Sequence, residues 1–127
     1  MRVRTVRRTA MRNVFIACAL IIGSQTGPVI QLVPPKLELH ADSAGFAHGR
    51  VQVLNRGGEP LQIRRVVPSC KCAAATVLSN PIYPLEVGEI LVHINTRDWR
   101  DSIGTVELDI ESNAAPQRYV VTVHRQR

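Results

Sequence analysis

The chain has 127 residues, which is enough for one domain, and it carries a formal net charge of +6. Five of its sixteen basic residues are arginines within the first twelve positions, where no acidic residue occurs. Because the remaining basic and acidic residues nearly balance, the charge predicts no phosphate-binding patch on the folded part and no nucleic-acid partner.

The arginine-rich start is followed by a ten-residue apolar run at residues 14–23. A basic stretch before an apolar run that is short for a membrane span is typical of a signal peptide. We therefore predict export to the periplasm, the cell envelope or the medium, with residues 1–26 as the signal peptide. An uncleaved membrane anchor, a lipid-modified Cys18 and a true start at Met11 are the alternatives that the pattern leaves open.

Glycine and proline punctuate residues 27–35, which predicts a linker before the folded domain. From residue 36 onward, apolar and polar residues alternate in short runs, the pattern of half-buried strands. Before the cysteines these runs cover residues 37–40, 50–54 and 61–64, separated by a loop at 41–49 and a glycine-rich turn at 55–60. The alternation is lost at residues 65–67, where we expect a β-bulge.

Beyond the cysteines we predict strands at residues 73–77, 89–95, 105–111 and 118–124. The third of these is the clearest, with Val106, Leu108 and Ile110 expected to point inward. Their neighbours Thr105, Glu107, Asp109 and Glu111 form an acidic face, and side chains on one strand face do not converge on a calcium ion. Short strands with turn signals at this spacing predict an antiparallel β-sandwich of about seven strands over residues 36–127.

Two of the three cysteines, Cys70 and Cys72, stand one residue apart after an apolar run. Export favours a disulfide between them, while Lys71 would favour a reactive thiolate and a redox role. Two thiolates also suit copper(I), or zinc with two further ligands. The candidates for those further ligands are the four histidines, His40, His48, His93 and His124.

Trp99 lies in a charged turn, Arg97-Asp98-Trp99-Arg100-Asp101. It is either an anchor for a partner or a ring that folds back over the open end of the sandwich. No spacing typical of a catalytic triad, a phosphate loop or a pair of acid–base carboxylates is present. We therefore do not predict an enzyme.

The run from Asn55 to Ile63, N-x-G-x-x-P-L-x-I, followed by Pro68-Ser69-Cys70-Lys71-Cys72, resembles a family of exported bacterial domains of unknown function. The resemblance covers residues 36–124 and implies an immunoglobulin-like sandwich, related to Hydin-type and major-sperm-protein-like domains, without an established activity. Lys71 stands where the family has glycine, so we expect a tight disulfide to be disfavoured there. Ala73 replaces a threonine, and residues 85–89 replace a compact proline-glycine-glutamate turn, with Gly88 and Glu89 at the matching places.

The combined interpretation is an exported, non-enzymatic immunoglobulin-like module with a binding or structural role. Its partner would be an unknown protein or component of the cell envelope, with no membrane contact beyond a retained N-terminal anchor. The alternative is a thiol-redox or copper- or zinc-binding protein that uses Cys70 and Cys72.

Overall fold

The structure is a computed structural model that describes residues 27–125. The predicted signal peptide, Cys18 and Met11 lie outside the described residues. The described part contains eight strands and no helix, and so no helix that could cross a membrane. The strands are β1 (Ile30–Val33), β2 (Leu37–His40), β3 (Phe46–Asn55), β4 (Ile63–Pro68), β5 (Ala73–Val77), β6 (Val87–Asn95), β7 (Ile103–Ser112) and β8 (Gln117–His124).

The strands form two four-stranded sheets, with the order β1-β3-β6-β5 in the first sheet and β2-β8-β7-β4 in the second sheet. Every pair is antiparallel except β2 and β8, which run parallel. One apolar core is built from both sheets because the strands alternate buried and exposed residues. This arrangement confirms the predicted immunoglobulin-like β-sandwich and adds one strand to it.

The inward-facing positions predicted on β7 are confirmed, since Val106, Leu108 and Ile110 are all at most 1% exposed. The acidic face of the same strand points outward and is paired with arginines. Arg65 contacts Glu111, and Arg118 contacts both Glu107 and Asp109, at 3.0–3.3 Å. Exposed ion pairs of this kind contribute little to stability, so the face is a solvated one.

The prediction of a linker at residues 27–35 is wrong for its centre, because β1 occupies Ile30–Val33 and pairs with the end of β3. The glycine and prolines flank these four residues without interrupting them, so each of the four keeps the backbone N–H that a β-ladder uses. The chain then crosses from the first sheet to the second between β1 and β2.

The loop expected at residues 41–49 is shorter than predicted, since β3 begins at Phe46. The carboxylate of Asp42 causes this early start, because its Oδ1 accepts hydrogen bonds from the backbone N–H groups of Ala44 and Phe46 at 3.0 and 2.9 Å. The bond from Phe46 is the main reason that the pKa of Asp42 lies below its usual value. A turn in which an aspartate side chain accepts hydrogen bonds from the following backbone N–H groups reverses the chain within a few residues, so the loop is short.

The strand predicted at residues 61–64 begins at Ile63 instead. Leu61 lies outside it and forms an isolated bridge with Ile82, with backbone N–H···O distances of 2.8 Å in both directions. The register of β4 against β7 shifts between Ile63 and Arg65. The predicted bulge is therefore present, slightly earlier in the chain than the loss of alternation suggested.

Candidate functional site

The loop that carries the cysteines, residues 69–72, is the connection by which the chain passes from β4 in the second sheet to β5 in the first. We call it the CxC loop. Ser69 fixes it to β7, since its N–H donates to the carbonyl of Glu107 at 2.8 Å and its Oγ accepts from the N–H of Glu107 at 2.9 Å. The carbonyl of Cys72 accepts from Asn95 N–H on β6 at 2.8 Å. Both sheets thus hold the loop.

Within the CxC loop, the Sγ atoms of Cys70 and Cys72 lie 1.99 Å apart, at disulfide distance, and both residues are half-buried. The steric penalty expected from Lys71 does not arise, because Leu85 is the only described non-glycine residue with a positive φ. A backbone with negative φ accommodates a lysine without strain. In this bonded form neither sulfur is a thiolate, so the pair offers no soft-metal ligand until it is reduced.

The four histidines do not join the cysteines. They form two pairs across neighbouring strands, His48 with His93 and His40 with His124. The described residues contain no group of three or more histidines, cysteines or carboxylates placed to hold a metal ion. The zinc site with two cysteines and two histidines that the sequence left open is therefore not assembled in this part of the chain.

Trp99 is half-buried and packs against the core, with its ring over Gly104 on β7. A Cβ atom at residue 104 would lie 2.7 Å from Trp99 Cε3, so only glycine leaves room for the indole. The carbonyl of Trp99 also accepts a hydrogen bond from the guanidinium of Arg125. Of the two interpretations of Trp99, the structure favours the ring that folds back over the end of the sandwich.

Two of the predicted site residues meet in one shallow groove. Cys70 and Trp99 both line a depression of about 300 Å³ at the end of the sandwich, together with Ile103 on its exposed rim. Among residues 27–125, the hydrogen-bond donor to the Cys70 sulfur is the backbone N–H of Cys72, at 3.0 Å. In this groove Cys70 is bonded to Cys72 and packs against the core.

A feature that sequence reasoning missed is the tight turn Tyr83-Pro84-Leu85-Glu86, which we call the Leu85 turn. The N–H of Glu86 donates to the carbonyl of Tyr83 at 2.9 Å, and the carboxylate of Glu86 accepts from the N–H of Tyr83 at 3.0 Å. Leu85 has a φ of 66°, the left-handed value that the third position of such a turn requires. Glycine or asparagine is the usual residue there.

The signal that could have located this turn is the order proline, any residue, glutamate at Pro84 to Glu86. The family resemblance aligns Gly88 and Glu89 with the turn instead, because they supply a glycine before a glutamate. The structure corrects this match, since Gly88 is the second residue of β6. A Cβ at Gly88 would come within 2.5 Å of Ile82 Cδ1 and 2.8 Å of Ser79 Cβ, so this glycine serves close packing. Leu85 is the residue in the glycine position of the turn.

The Leu85 turn is held by Asn55, the last residue of β3. The carbonyl of Asn55 accepts from Leu85 N–H at 2.7 Å, and its N–H donates to the carbonyl of Glu86 at 3.2 Å. Pairing on both sides fixes the turn to the end of the first sheet. The turn is therefore a rigid projection rather than a loose loop.

The side chain of Asn55 is fully buried and uses all of its hydrogen-bonding groups. Its Nδ2 donates to the carbonyls of Glu59 and Ile82 at 2.7 and 2.9 Å. Its Oδ1 accepts from the N–H groups of Gly57 and Val29 at 2.9 and 3.3 Å. One asparagine thus joins the start of β1, the turn after β3 and the loop before β6, an arrangement that we call the Asn55 network.

Similar architectures occur in solved structures of low sequence identity. A protein of unknown function from Porphyromonas gingivalis W83 superposes with a TM-score of 0.69 at 15% identity, over 80% of this chain and 48% of that chain. The periplasmic chaperone SfaE gives 0.59 at 7% identity, over 78% and 59%. The secreted serine protease VesC from Vibrio cholerae gives 0.53 at 12% identity, over 84% and 24%. These likenesses establish the fold alone.

The chain spans about half of the Porphyromonas gingivalis protein and about a quarter of VesC. No curated protein matches the chain. A family model described as "Protein of unknown function (DUF1573)" matches residues 41–126. Six of the eight strands, β3 to β8, lie within this match, and β1 and β2 lie before it.

Proposed function

We propose that this chain, which belongs to the DUF1573 family of proteins of unknown function, is an exported, non-enzymatic binding module. In this proposal the immunoglobulin-like sandwich presents the Leu85 turn to a protein partner. The observation that carries the proposal is the conformation and exposure of Leu85 itself.

Leu85 combines two unfavourable properties. Its left-handed backbone is unfavourable by about 1–2 kcal/mol for a residue with a Cβ, and glycine would avoid this penalty. Its side chain is 78% exposed, so burial in the core does not offset the strain. Residues with a strained backbone concentrate at functional sites. At such a site, contacts between the side chain and a partner offset the strain that the fold alone does not offset. Leu85 fits that description.

The residues around Leu85 extend the apolar surface. Tyr83 is 53% exposed and Val87 is 56% exposed, one on each side of Leu85 along the same segment. Exposed apolar clusters on a small domain mark interaction sites, and tyrosine in particular combines an apolar ring with a polar tip. A protein surface with an apolar pocket is the partner that this chemistry suits.

The experiment tests Leu85→Gly in the full chain. The variant keeps the turn because glycine adopts the left-handed conformation freely, so the fold should be retained with an unfolding free energy at least equal to that of the wild type. Binding of the partner should fall by about ten-fold, the equivalent of about 1.4 kcal/mol for a lost central side chain. Partner binding at the wild-type level in Leu85→Gly would contradict the proposal.

The partner itself can be found with a photo-crosslinking amino acid placed at residue 85 in cells. Ile103 offers a matched control, because it is also an apolar residue, is 54% exposed and lies beside Trp99 rather than on the Leu85 turn. A discrete adduct from residue 85 that is absent from residue 103 supports the assignment. Identical adducts from both positions show that the surface is not selective.

Export rests on the arginine-rich leader and its apolar run. Protein recovered from the extracytoplasmic fraction should begin between Ser24 and Pro28 on N-terminal sequencing. Full-length chain free in the cytoplasm would contradict this part of the proposal and leave the binding surface to be judged by the variants at Leu85.

A further inference from the structure

We propose that His48 and His93 form a binding site for a divalent transition-metal ion, Cu(II) above all, on the outer face of the first sheet. The two residues are direct register partners on β3 and β6, the two central strands of that sheet. Both side chains point to solvent. A metal ion could therefore reach them without any opening of the core.

The distance between the Nδ1 atoms of the two rings suits the binding of one metal ion. The Nδ1 atoms of His48 and His93 lie 3.0 Å apart. With metal–imidazole bonds of about 2.0–2.1 Å, two nitrogens at a right angle are separated by about 2.9 Å and at a tetrahedral angle by about 3.3 Å. The observed separation lies nearer to the right angle. Square-planar or tetragonal nitrogen coordination is the preference of Cu(II) and Ni(II), and Cu(II) has the higher affinity of the two.

The surroundings hold the rings in place. Phe46 lies on the same face and stacks on His93 with ring centroids 5.4 Å apart, while the guanidinium of Arg97 lies over Phe46 at 5.1 Å. Because β3 pairs with β6 continuously from Phe46 to Leu54, on both sides of His48, the two Cβ atoms cannot separate without breaking the ladder. Bringing the two nitrogens together on binding therefore requires little further ordering.

One side of the pair is open. His93 is flanked on β5 by Ala74, whose methyl group leaves a shallow groove of about 440 Å³ that both histidines line. Arg50 also borders this groove, and its positive charge is engaged by Glu89 at 3.3 Å. Two protein ligands leave positions on the ion for water or for a donor from another molecule. The site would thus be an open one, with two ligands from this chain.

The second histidine pair provides an internal comparison. His40 and His124 are also cross-strand neighbours, but their rings are stacked, 4.8 Å between centroids and 22° between planes. Ring nitrogens donate their lone pairs in the plane of the ring, so stacked rings direct them side by side rather than toward a common point. The same residue types in this geometry should bind copper weakly, and the pair is a matched control.

The test is a calorimetric titration of the full chain with CuCl₂ in a buffer that does not coordinate metals, with Cys18→Ser in every sample so that a free thiol does not reduce the copper. The wild-type histidine pair should bind one ion per chain. His48→Asn and His93→Asn should each weaken this affinity by about ten-fold or more, since losing a ligand is at least as severe as losing a group that merely orients one. His40→Asn should change it by less than about two-fold, because distant sites act independently.

Electron paramagnetic resonance of the copper-loaded protein gives a second measurement, with hyperfine coupling from two imidazole nitrogens expected in the wild type and one in each single variant. Thermal unfolding without metal checks that the variants are folded. We expect them to be, because His48 and His93 are both exposed. Copper affinity in the His48→Asn/His93→Asn double variant equal to that of the wild type would overturn the proposal. The proposal also fails if His40→Asn weakens binding as much as His48→Asn, or if the wild type takes up no copper, in which case the two rings share only a hydrogen bond.

Discussion

The Asn55 network and the CxC loop both lie where the chain leaves a strand, but different chemistry holds them. Asn55 is fully buried and satisfies several separate segments of backbone through hydrogen bonds. The CxC loop is half-buried and is closed by a bond between residues only two apart. The most conspicuous residues of the sequence are therefore not the ones on which the fold depends most.

The largest effect should come from Asn55→Ala. The change removes the partner of the Glu59 carbonyl and of the N–H groups of Gly57 and Val29. The Ile82 carbonyl loses one of its two donors and keeps the N–H of Leu61. Each buried group left unpaired is unfavourable by about 1–3 kcal/mol unless water reaches it. We expect the free energy of unfolding to fall by about 3–5 kcal/mol in urea titrations. Asn113→Ala is the control, because the exposed Asn113 also makes two hydrogen bonds, to Gln62 N–H at 2.8 Å and to the carbonyl of Pro60 at 3.1 Å.

The expected loss for Asn113→Ala is about 1 kcal/mol or less, since water replaces exposed hydrogen bonds. Equal losses at Asn55 and Asn113 would show that burial does not set the importance of the Asn55 network.

Leu108→Ala places an apolar core residue on the same scale. Leu108 lies on β7 and is 1% exposed. Its partner on β4 is Pro68, the residue directly before the CxC loop. Its truncation should lower the free energy of unfolding by about 2–5 kcal/mol. Glu107→Ala, one residue away on the outer face, should change it by no more than about 0.5 kcal/mol. Urea titrations that give similar values for both would mean that the faces of β7 have been assigned wrongly.

Cys72→Ser should have a smaller effect than either. Closing a loop of about three residues removes little unfolded-state entropy, so the loop-entropy relation limits the loss to about 1.6 kcal/mol. The measurement is chemical unfolding without reductant, with wild type under reductant as the control. A loss of several kcal/mol would place the CxC loop beside the Asn55 network in importance. Rapid alkylation of the native protein, sensitive to Lys71→Glu, would instead revive the thiol-redox alternative.

Tyr119→Phe should have the smallest effect at neutral pH. The buried hydroxyl of Tyr119 donates to the carbonyl of Pro34 at 2.7 Å, so its loss should lower the free energy of unfolding by about 1 kcal/mol. Burial raises the pKa of Tyr119 from 10.0 to about 12. The unfolded chain therefore loses this proton before the folded one does, and the stabilisation that is complete below pH 10 is lost as the pH rises toward 12.

The alkaline decline should be less steep in Tyr119→Phe than in the wild type when unfolding is followed between pH 9 and 12. Parallel curves for the two proteins would show that Tyr119 keeps an ordinary pKa in the fold.

The strands that sequence predicted well are those with strict alternation and one buried face, such as β7 with Val106, Leu108 and Ile110. Local alternation contains enough information there because the pleat assigns each residue to one side. The start of β3 could not be predicted in this way, since it depends on which backbone N–H groups donate hydrogen bonds to the Asp42 carboxylate. Likewise, β1 is too short for its period to stand out between prolines.

The candidate site was predictable only where neighbours in sequence are neighbours in space, as at Cys70 and Cys72. The pairing of His48 with His93 depends on the register of two strands, which a single sequence does not determine. The Leu85 turn was missed because leucine is not a residue that turn preferences place at a left-handed position. Its backbone had to be observed before its exposure became meaningful.

The parallel pairing of β2 with the final strand has a mechanical consequence. When the two ends of the chain are pulled apart, β2 is drawn toward the start of the chain and β8 toward its end, in opposite directions along one ladder. Their backbone bonds are then loaded together in shear, whereas strands in a hairpin separate one bond at a time. The four residues of β2 would thus act as a mechanical clamp when the chain is under tension.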